Sequence, residues 1–254
     1  SADALDELFC RKYLGGAGFV SYFLLKELRQ GIDPLGPENK LVFALGPVTG
    51  VPLPGSGRNC VGAKSPLTGG YAKSEVGGFW GAELKHAGYD AIIVEGKAEK
   101  PVYLWIHDRE ASIRDASHLW GKNTKETQET IRVELGDNLI RVAGIGPGGE
   151  NLVRFACIMN DLKDAAGRGG MGAVMGSKNL KAIAVRGHKR PKVAEPERIK
   201  EIRQWLLAHR ELWASSAELG TGAFMEAHLA AGNLPIHNFL DGDFPKAVDI
   251  SAQQ

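Results

Sequence analysis

Two arginines in glycine-rich loops have the residue type and setting that best suit the binding of an anion. Arg58 ends the string Gly55–Arg58, and Arg168 stands between Gly167 and Gly169. Glycine has no Cβ and tolerates positive φ, so such loops either form turns or let backbone N–H groups approach an anion. A guanidinium on such a loop can bind a phosphate through two parallel hydrogen bonds. These residues suit a phosphorylated cofactor. An equal alternative is that the glycines only form turns and the arginines only contact solvent.

Two G-x-G-x-x-G strings, which begin at Gly144 and Gly167, match the pattern of a dinucleotide fingerprint. After the first string, residues 150–159 favour strand over helix, and Pro147 stiffens the turn. We therefore expect the helix N-terminus that should lie under a pyrophosphate to be missing. The segment 172–178 differs from a P-loop, because its spacing is short and its lysine does not directly follow the glycine. Nucleotide binding is disfavoured at each string.

No combination of histidine, cysteine or carboxylate predicts a catalytic or metal centre. The histidines considered as ligands lie in different predicted elements without ligand spacing: His86, His118 and His237. The cysteines are far apart and form no C-x-x-C pair: Cys10, Cys60 and Cys157. We expect neither a disulfide framework nor a complete metal site, and no Ser-His-Asp set or paired carboxylates are indicated.

Composition excludes several classes of protein. The 254 residues carry a formal charge of +1 with 43% hydrophobic content, which is too balanced for a nucleic-acid-binding surface. No apolar stretch approaches the roughly 18 to 20 residues of a membrane span, and Ser1–Leu8 lacks the features of a signal peptide. We expect a cytoplasmic protein that uses neither nucleic acid nor membrane as a partner.

Apolar periodicity and chain-breaking residues predict a mixture of helices and strands. The predicted helices are Asp3–Leu14, Val20–Leu28, Trp80–Ala87, Thr124–Leu135 and Glu197–Leu212. The predicted extended segments are Leu41–Leu45, Ala91–Val94, Val102–Ile106, Leu139–Ile145, Asn151–Met159 and Ala182–Val185. Asn123, followed by Glu126 three residues later, predicts the cap of the fourth helix.

An internal repeat is the most informative feature of the chain order. Leu41–Pro47 recurs loosely as Arg141–Pro147, and Gly77–Gly96 runs parallel to Gly167–Gly187. Two such halves, about 41–100 and 141–193, would present two similar glycine loops to one ligand across a pseudo-two-fold axis. Chance alignment of glycine-rich strings is the alternative, but strand, loop, helix and strand recur in the same order.

A change in composition near residue 190 predicts a domain boundary. Pro191 and Pro196 bracket a linker, and a charged amphipathic helix follows. The expected fold class is α+β: an internally duplicated N-terminal domain over residues 1–190 with two β-rich halves, then the start of a mainly helical domain over 191–254.

Long strings along the chain resemble the N-terminal domain of the tungsten-containing aldehyde:ferredoxin oxidoreductase family. They are Gly55–Asn59, Lys64–Gly69, Gly77–Ala98, Arg114–Gly121, Ile145–Asn151 and Ala165–Ala182. The tail from Gly220 to Phe239 resembles the family's second region, just ahead of its cluster-binding cysteines. Strings of this length, in the family's order, are far more specific than any short motif.

The resemblance implies a base domain with two molybdopterin cofactors that hold one tungsten through their own sulfur atoms. Downstream domains would supply a 4Fe-4S cluster and the substrate pocket. The whole protein would oxidise aldehydes to carboxylic acids and pass electrons to ferredoxin, so ferredoxin and an aldehyde are the implied partners, with a homodimer left open. The alternatives are the tungsten subunit of another reductive complex, such as an aromatic-ring reductase, and a non-catalytic cofactor-binding fragment.

The resemblance also implies roles for particular residues. Arg58 falls at a pterin phosphate, and the cofactors would be lined by Gly77, Asp164, Ala165, Gly167 and Arg168. Magnesium would be held by the main-chain carbonyls of Glu75 and Ala165, in keeping with that ion's preference for oxygen.

Three departures from the family pattern stand out. Glu75 replaces an expected asparagine, and Asp164 replaces an expected arginine. The carboxylate of Asp164 would repel a phosphate unless it turns away or Lys163 compensates. The family's opening strands have no counterpart here. Catalytic acids or bases and the cluster ligands are expected beyond residue 254, so the fragment alone is expected to be inactive.

Overall fold

Two short helices open the chain in a computed structural model that describes residues 4–252. Helix α1 (Glu7–Tyr13) begins where the Asp6 carboxylate accepts a hydrogen bond from the backbone N–H of Phe9, at 2.7 Å, and ends at Leu14, whose φ of 61° is left-handed. Helix α2 spans Ala17–Glu27. The predicted start of α1 was therefore too early and that of α2 too late, because the break falls at residues 14–16.

Four antiparallel strands form the first sheet. They are β1 (Leu41–Leu45), β2 (Asn59–Lys64), β3 (Tyr71–Val76) and β4 (Ala91–Val94), in the order β3-β2-β1-β4. Helix α3 (Trp80–His86) connects β3 to β4. All five residues of β1 are buried, as expected for a continuous apolar strand with both faces covered.

Six strands form the second sheet. They are β5 (Val102–His107), β6 (Glu110–Asp115), β7 (Arg141–Gly144), β8 (Ile158–Asn160), β9 (Asp164–Ala166) and β10 (Leu180–Arg186), in the order β6-β5-β10-β7-β8-β9. The pair β5–β10 is parallel and the other pairs are antiparallel. Three helices accompany this sheet: α4 (Thr124–Leu135), α5 (Pro147–Glu150) and α6 (Met171–Ser177).

Four strands of the second sheet share the arrangement of the first. The order β9-β8-β7-β10 matches β3-β2-β1-β4, with every pair antiparallel within each of these two sets of four strands. In each set a short helix, α3 or α6, lies between the third and fourth strands along the chain. Strands β3 and β9 therefore occupy equivalent positions.

The two sheets share one hydrophobic core. Trp80 of α3 lies at its centre: its indole N–H donates to the carbonyl oxygen of Ile183 in β10 at 3.0 Å, and its ring lies 5.5 Å from that of Phe43 in β1. Helix α2 packs on the first sheet through Val20 and Leu24, and helix α4 covers the second sheet through Ile131. The core thus fixes the sheets to each other.

The glycine string at 144–149 serves packing. The predicted extended segment Asn151–Met159 was wrong over most of its length, because a helical turn precedes it and strand β8 begins only at Ile158. The expected absence of a helix N-terminus was wrong in part, because the four-residue helix α5 begins inside the string at Pro147, but residues 151–157 form turns and coil and do not continue it. A Cβ on Gly176 would lie 2.0 Å from the carbonyl oxygen of Gly149, so glycine lets α5 and α6 touch.

The second fingerprint string is likewise used for packing. A Cβ on Gly170 would lie 2.0 Å from the carbonyl oxygen of Arg154, and one on Gly172 would lie 2.4 Å from that of Cys157. These contacts need the absence of a side chain, so the backbone at Gly170 and Gly172 is covered by protein, whereas Gly167 at the start of the string is exposed.

Contacts divide the chain into two units, Ser1–Ala194 and Glu195–Gln254. The second unit contains helices α7 (Pro196–Ala208), α8 (Ala214–Leu219) and α9 (Met225–Ala230). The single helix predicted for Glu197–Leu212 was too long, since α7 ends at Ala208 and a separate 3-10 turn follows. Within residues 4–252, none of the helices has the length and apolar character needed to cross a membrane.

Candidate cofactor-binding groove

An open groove of about 670 Å³ lies where β3 approaches β9. Its lining residues come from these two equivalent edge strands and the loop after β9: Lys73, Ser74, Glu75, Ala165, Gly167 and Arg168. Four of the residues proposed from the sequence, Glu75, Ala165, Gly167 and Arg168, therefore line one surface although they belong to different halves of the chain.

Backbone contacts hold the loop of Arg168 against the first sheet. The N–H of Arg168 donates to the hydroxyl of Ser74 at 3.3 Å, and the hydroxyl of Ser65 donates to the carbonyl oxygen of Gly169 at 2.8 Å. Gly169 has a φ of 76°, and a Cβ there would lie 2.7 Å from the Cβ of Ala72. Glycine is required here for both conformation and space.

Charge in the groove is concentrated on β3. Lys73 Nζ lies 2.6 Å from Glu75 Oε1, and this hydrogen bond, helped by the charges of Lys73 and Arg58, lowers the pKa of Glu75. Cys60 pairs with Glu75 across the strands, and burial raises the pKa of its thiol to about 11. The free thiol of Cys60 is therefore protonated near neutral pH.

Neither arginine proposed for phosphate binding has a partner for its guanidinium in the described part of the chain. Arg58 is exposed immediately before β2, where its carbonyl oxygen accepts from the hydroxyl of Thr49 at 3.3 Å. Arg168 is also exposed, and only its backbone N–H is engaged. Arg58 does not line the groove itself, but its charge acts on Glu75. Both cationic groups are free to bind an anion.

Asp164 directs its carboxylate away from the groove lining. A Cβ on Gly77 would lie 3.1 Å from Asp164 Oδ1, and one on Gly78 would lie 2.9 Å from Asp164 Oδ2. The carboxylate thus faces the Gly77–Gly78 loop and is absent from the groove's lining residues. The repulsion expected between this acid and a phosphate in the groove is reduced by that orientation.

Buried polar atoms without partners lie beside the same loop. Among the described residues they include Asn59 Nδ2, Asp161 Oδ1 and Asp164 Oδ2. Asn160 joins the halves here, because its Nδ2 donates to Asn59 Oδ1 at 3.0 Å and to the carbonyl oxygen of Gly77 at 3.1 Å. Unpaired buried polar atoms are costly, so these atoms indicate a site that awaits further hydrogen-bonding partners. Asn59 Nδ2 is a donor, whereas the two carboxylate oxygens are acceptors that suit N–H or hydroxyl groups of a cofactor rather than its phosphates. The free guanidinium groups supply the charge that suits the phosphates.

Sequence reasoning missed Lys73 and Ser74. Alternation along β3 is the signal that could have found Lys73, because Lys73 shares one face of the strand with Glu75, whereas Ser74 lies on the other face and carried no such signal. The histidines considered as ligands all have local partners: His86 with the Gly50 carbonyl oxygen, His118 with Glu134 and His237 with Asp241. Sequence reasoning did not consider His107 and His188, which lie close together in the fold.

Comparisons with known proteins identify the family of this chain. A family model described as "Aldehyde ferredoxin oxidoreductase, N-terminal domain" matches residues 1–187. The tungsten-containing aldehyde ferredoxin oxidoreductase of Pyrococcus abyssi is 50% identical over 255 residues, which cover 99% of this chain and 42% of that protein. The WOR-like subunit of an aliphatic sulfonate oxidoreductase from Pyrococcus furiosus is 42% identical over 241 residues, covering 86% of this chain and 37% of that protein.

Structural similarity extends to an enzyme complex. The active site complex BamBC of benzoyl coenzyme A reductase, solved with 1,5-dienoyl-CoA, superposes with a TM-score of 0.79 at 40% identity, covering 91% of this chain and 33% of that chain. The chain spans about 42% of the length of the curated relatives it matches. The family model covers most of the chain and relatives of that name are 50% identical to it, so this chain belongs to the aldehyde ferredoxin oxidoreductase family and carries its N-terminal domain.

Proposed function

We propose that the intact protein, meaning these 254 residues with any sequence that precedes or follows them, is a tungsten–pterin aldehyde oxidoreductase. The reaction converts an aldehyde and water into a carboxylic acid, two protons and two electrons, and ferredoxin takes the electrons one at a time. The observation that carries this proposal is the groove between β3 and β9 in the domain that matches the family: the free guanidinium of Arg168 lines it, and the charge of Arg58 acts on Glu75 of its lining.

The residues of this chain would bind and orient the cofactor. Arg58 and Arg168 would each hold a phosphate, and the backbones of Gly77 and Gly167 would allow close approach of the pterins. Carbonyl oxygens of Glu75 and Ala165 would hold a magnesium ion between the phosphates, and a carbonyl ligand is unaffected by the replaced side chain at position 75. When bound, the tungsten cofactor supplies the two-electron redox chemistry.

The equivalent strand orders support an internal duplication as part of this proposal. Glu75 and Ala165 lie on β3 and β9, which are the equivalent edge strands of their two sheets. A pseudo-symmetric pair of carbonyls and glycines suits two similar cofactors better than one, although the arginines are not equivalent, because Arg58 precedes β2 and Arg168 follows β9. Residues 1–190 would then bind the cofactors. Residues from 191 onward would begin a helical domain that carries a 4Fe-4S cluster and the substrate pocket.

A second candidate is the tungsten subunit of a reductive complex that acts on aromatic rings. Its support is the benzoyl coenzyme A reductase complex, whose chain matches this one at 40% identity with a TM-score of 0.79. The base domain does not distinguish the two activities, because neither the catalytic acids and bases nor the substrate pocket are assigned to it. The first candidate is preferred since the aldehyde ferredoxin oxidoreductases reach 50% identity.

Metal analysis and substrate assays on the intact protein test the proposal. We expect one tungsten for every two pterins in each chain, together with aldehyde-dependent reduction of ferredoxin or a viologen dye. Activity towards aromatic acyl-thioesters without aldehyde oxidation would favour the second candidate. A folded, active protein that contains neither tungsten nor molybdenum would contradict both candidate functions. The 254 residues alone are proposed to bind the cofactor without catalysing the reaction. The intact protein is proposed to work in the cytoplasm.

A further inference from the structure

Three side chains with metal-binding chemistry meet at one end of the second sheet, outside the cofactor groove. Strands β5 and β10 run parallel, with His107 at the end of β5 paired with Arg186 at the end of β10. Parallel neighbours finish at the same edge of a sheet, so the residues that follow both strands meet there. Asp108 follows β5 directly, and His188 lies two residues beyond β10.

The distances between these side chains suit a shared ion. His188 Nδ1 lies 2.7 Å from Asp108 Oδ2, and His107 Nε2 lies 3.7 Å from the same oxygen. One ligand atom from each of the three residues lies within 4.8 Å of the other two. Zinc bonds of about 2.0 to 2.2 Å in tetrahedral geometry place two ligand atoms about 3.4 Å apart. Small side-chain rotations therefore suffice to close the three atoms on one ion.

Ring contacts orient both histidines. The ring of His107 stacks on Trp105, with centroids 5.6 Å apart and an interplanar angle of 15°. The ring of His188 meets that of His107 edge-on, at a centroid distance of 5.6 Å. The backbone N–H of His188 donates to Asp108 Oδ1 at 2.9 Å, which holds the carboxylate between the two rings.

The turn that presents Asp108 has an uncommon backbone conformation. Asp108 and Arg109 form the two-residue connection between β5 and β6 with φ values of 44° and 75°, a region in which non-glycine residues are rare. Contacts with residues 87 and 89 hold the turn in place. The Arg109 N–H donates to the Ala87 carbonyl oxygen at 2.9 Å, and the Tyr89 hydroxyl donates to the Arg109 carbonyl oxygen at 2.7 Å. Positive φ at both residues is the pattern of a type I′ hairpin turn, and these contacts hold Asp108 in place.

We propose that His107, Asp108 and His188 form a binding site for a divalent transition-metal ion of the zinc class. Two imidazoles and a carboxylate are ligands that zinc commonly takes, and three protein ligands leave a position for water. The ion replaces the proton shared by His188 Nδ1 and Asp108 Oδ2, and that proton leaves as the metal enters. The bound ion ties the β5–β6 turn to the segment that leaves β10. This site does not depend on the proposed function.

Zinc uptake by the intact protein tests the site. After loosely held ions are removed with a chelator, equilibrium dialysis against zinc should show an added zinc in each chain. His107→Gln, Asp108→Asn and His188→Gln should each weaken that binding by at least about 10- to 100-fold, since even changes behind the ligands have effects of this size. X-ray absorption at the zinc edge should show two imidazole nitrogens, whatever tungsten or iron the protein holds.

A matched control is His118→Gln. This residue is also an exposed histidine of the first unit and lies 2.7 Å from a carboxylate oxygen of Glu134, but the described residues place no second histidine beside that pair. Its replacement should leave zinc uptake unchanged. Equal zinc binding by wild type, His107→Gln and His188→Gln would overturn the proposal.

Folding is checked in the same samples. The contact between His188 and Asp108 helps to hold the β5–β6 turn in place. If His188→Gln unfolds, it is left out of the comparison and His107→Gln provides the test. Zinc should raise the melting temperature of wild type and of His118→Gln but not that of His107→Gln. A zinc-dependent rise of the same size in His107→Gln would show that the ion binds elsewhere.

Discussion

Replacement of Arg58 by alanine tests the assignment of the groove most directly. In the described residues its guanidinium makes no hydrogen bond or ion pair, and the side chain is exposed. Removing it therefore leaves no buried group without a partner, and the free energy of unfolding should change by no more than about 0.5 kcal/mol. The same change removes one charge-assisted contact to a cofactor phosphate.

The size of the binding effect follows from that contact. A hydrogen bond to a charged group contributes about 1.5 to 3 kcal/mol, so cofactor retention should weaken by roughly 10- to 100-fold. Arg58→Lys keeps the charge but loses the forked geometry, and should fall between wild type and Arg58→Ala. Arg168→Ala should resemble Arg58→Ala if both halves of the chain hold a phosphate.

The assay measures tungsten and pterin in each folded chain of the intact protein when tungstate is limiting. Arg203→Ala is the matched control, because Arg203 is also exposed but lies on helix α7 outside the groove. Calorimetry on cofactor-free samples reports the melting temperature separately. Wild-type occupancy in Arg58→Ala, combined with a lowered melting temperature, would show that this arginine serves its own loop and that the assignment of the groove is wrong.

Three further predictions concern the stability of the base domain. Gly176→Ala should lower the free energy of unfolding by several kcal/mol, because its Cβ would lie 2.0 Å from the Gly149 carbonyl oxygen. Gly148→Ala is the control: the atom nearest to its Cβ is 4.0 Å away, so calorimetry should show a loss under about 1 kcal/mol. Asn123→Ala removes the capping box of α4 and should cost about 1 kcal/mol in denaturant unfolding; no change would contradict the cap's role. Burial lowers the pKa of Lys178 to about 8, so the folded state releases this proton more readily than the unfolded state, and the stability of wild type relative to Lys178→Met should rise between pH 8 and 10. A flat or falling difference would count against that burial effect.

Local patterns in the sequence determined the elements whose interactions are short-range. The capping box at Asn123 was predicted from two residues three positions apart and is confirmed in α4. The apolar run Leu41–Leu45 predicted an extended segment, which is confirmed as strand β1. Helix α5 was missed because four residues carry no helical periodicity, and its glycines serve contacts with α6 that lie far along the chain.

Long strings also identified the family, since they preserve the order of the domain across most of the chain; the family match confirms that resemblance. They could not show which side chains share the groove. Lys73 and Arg168 line one surface only because the edge strands of two sheets approach each other. The direction of the Asp164 carboxylate, towards Gly77 and Gly78, likewise depends on that approach.

The pairing of His107 with His188 shows the same limit. Neither residue has a ligand-like neighbour spacing in the sequence, so sequence reasoning gave them no role. A parallel strand pair brings their ends to one edge, and a two-residue turn places Asp108 between them. Parallel pairing joins segments through a long connection, and the register of such a pair is set by core packing rather than by local sequence. Chemistry that depends on this register was therefore decided by the tertiary structure alone.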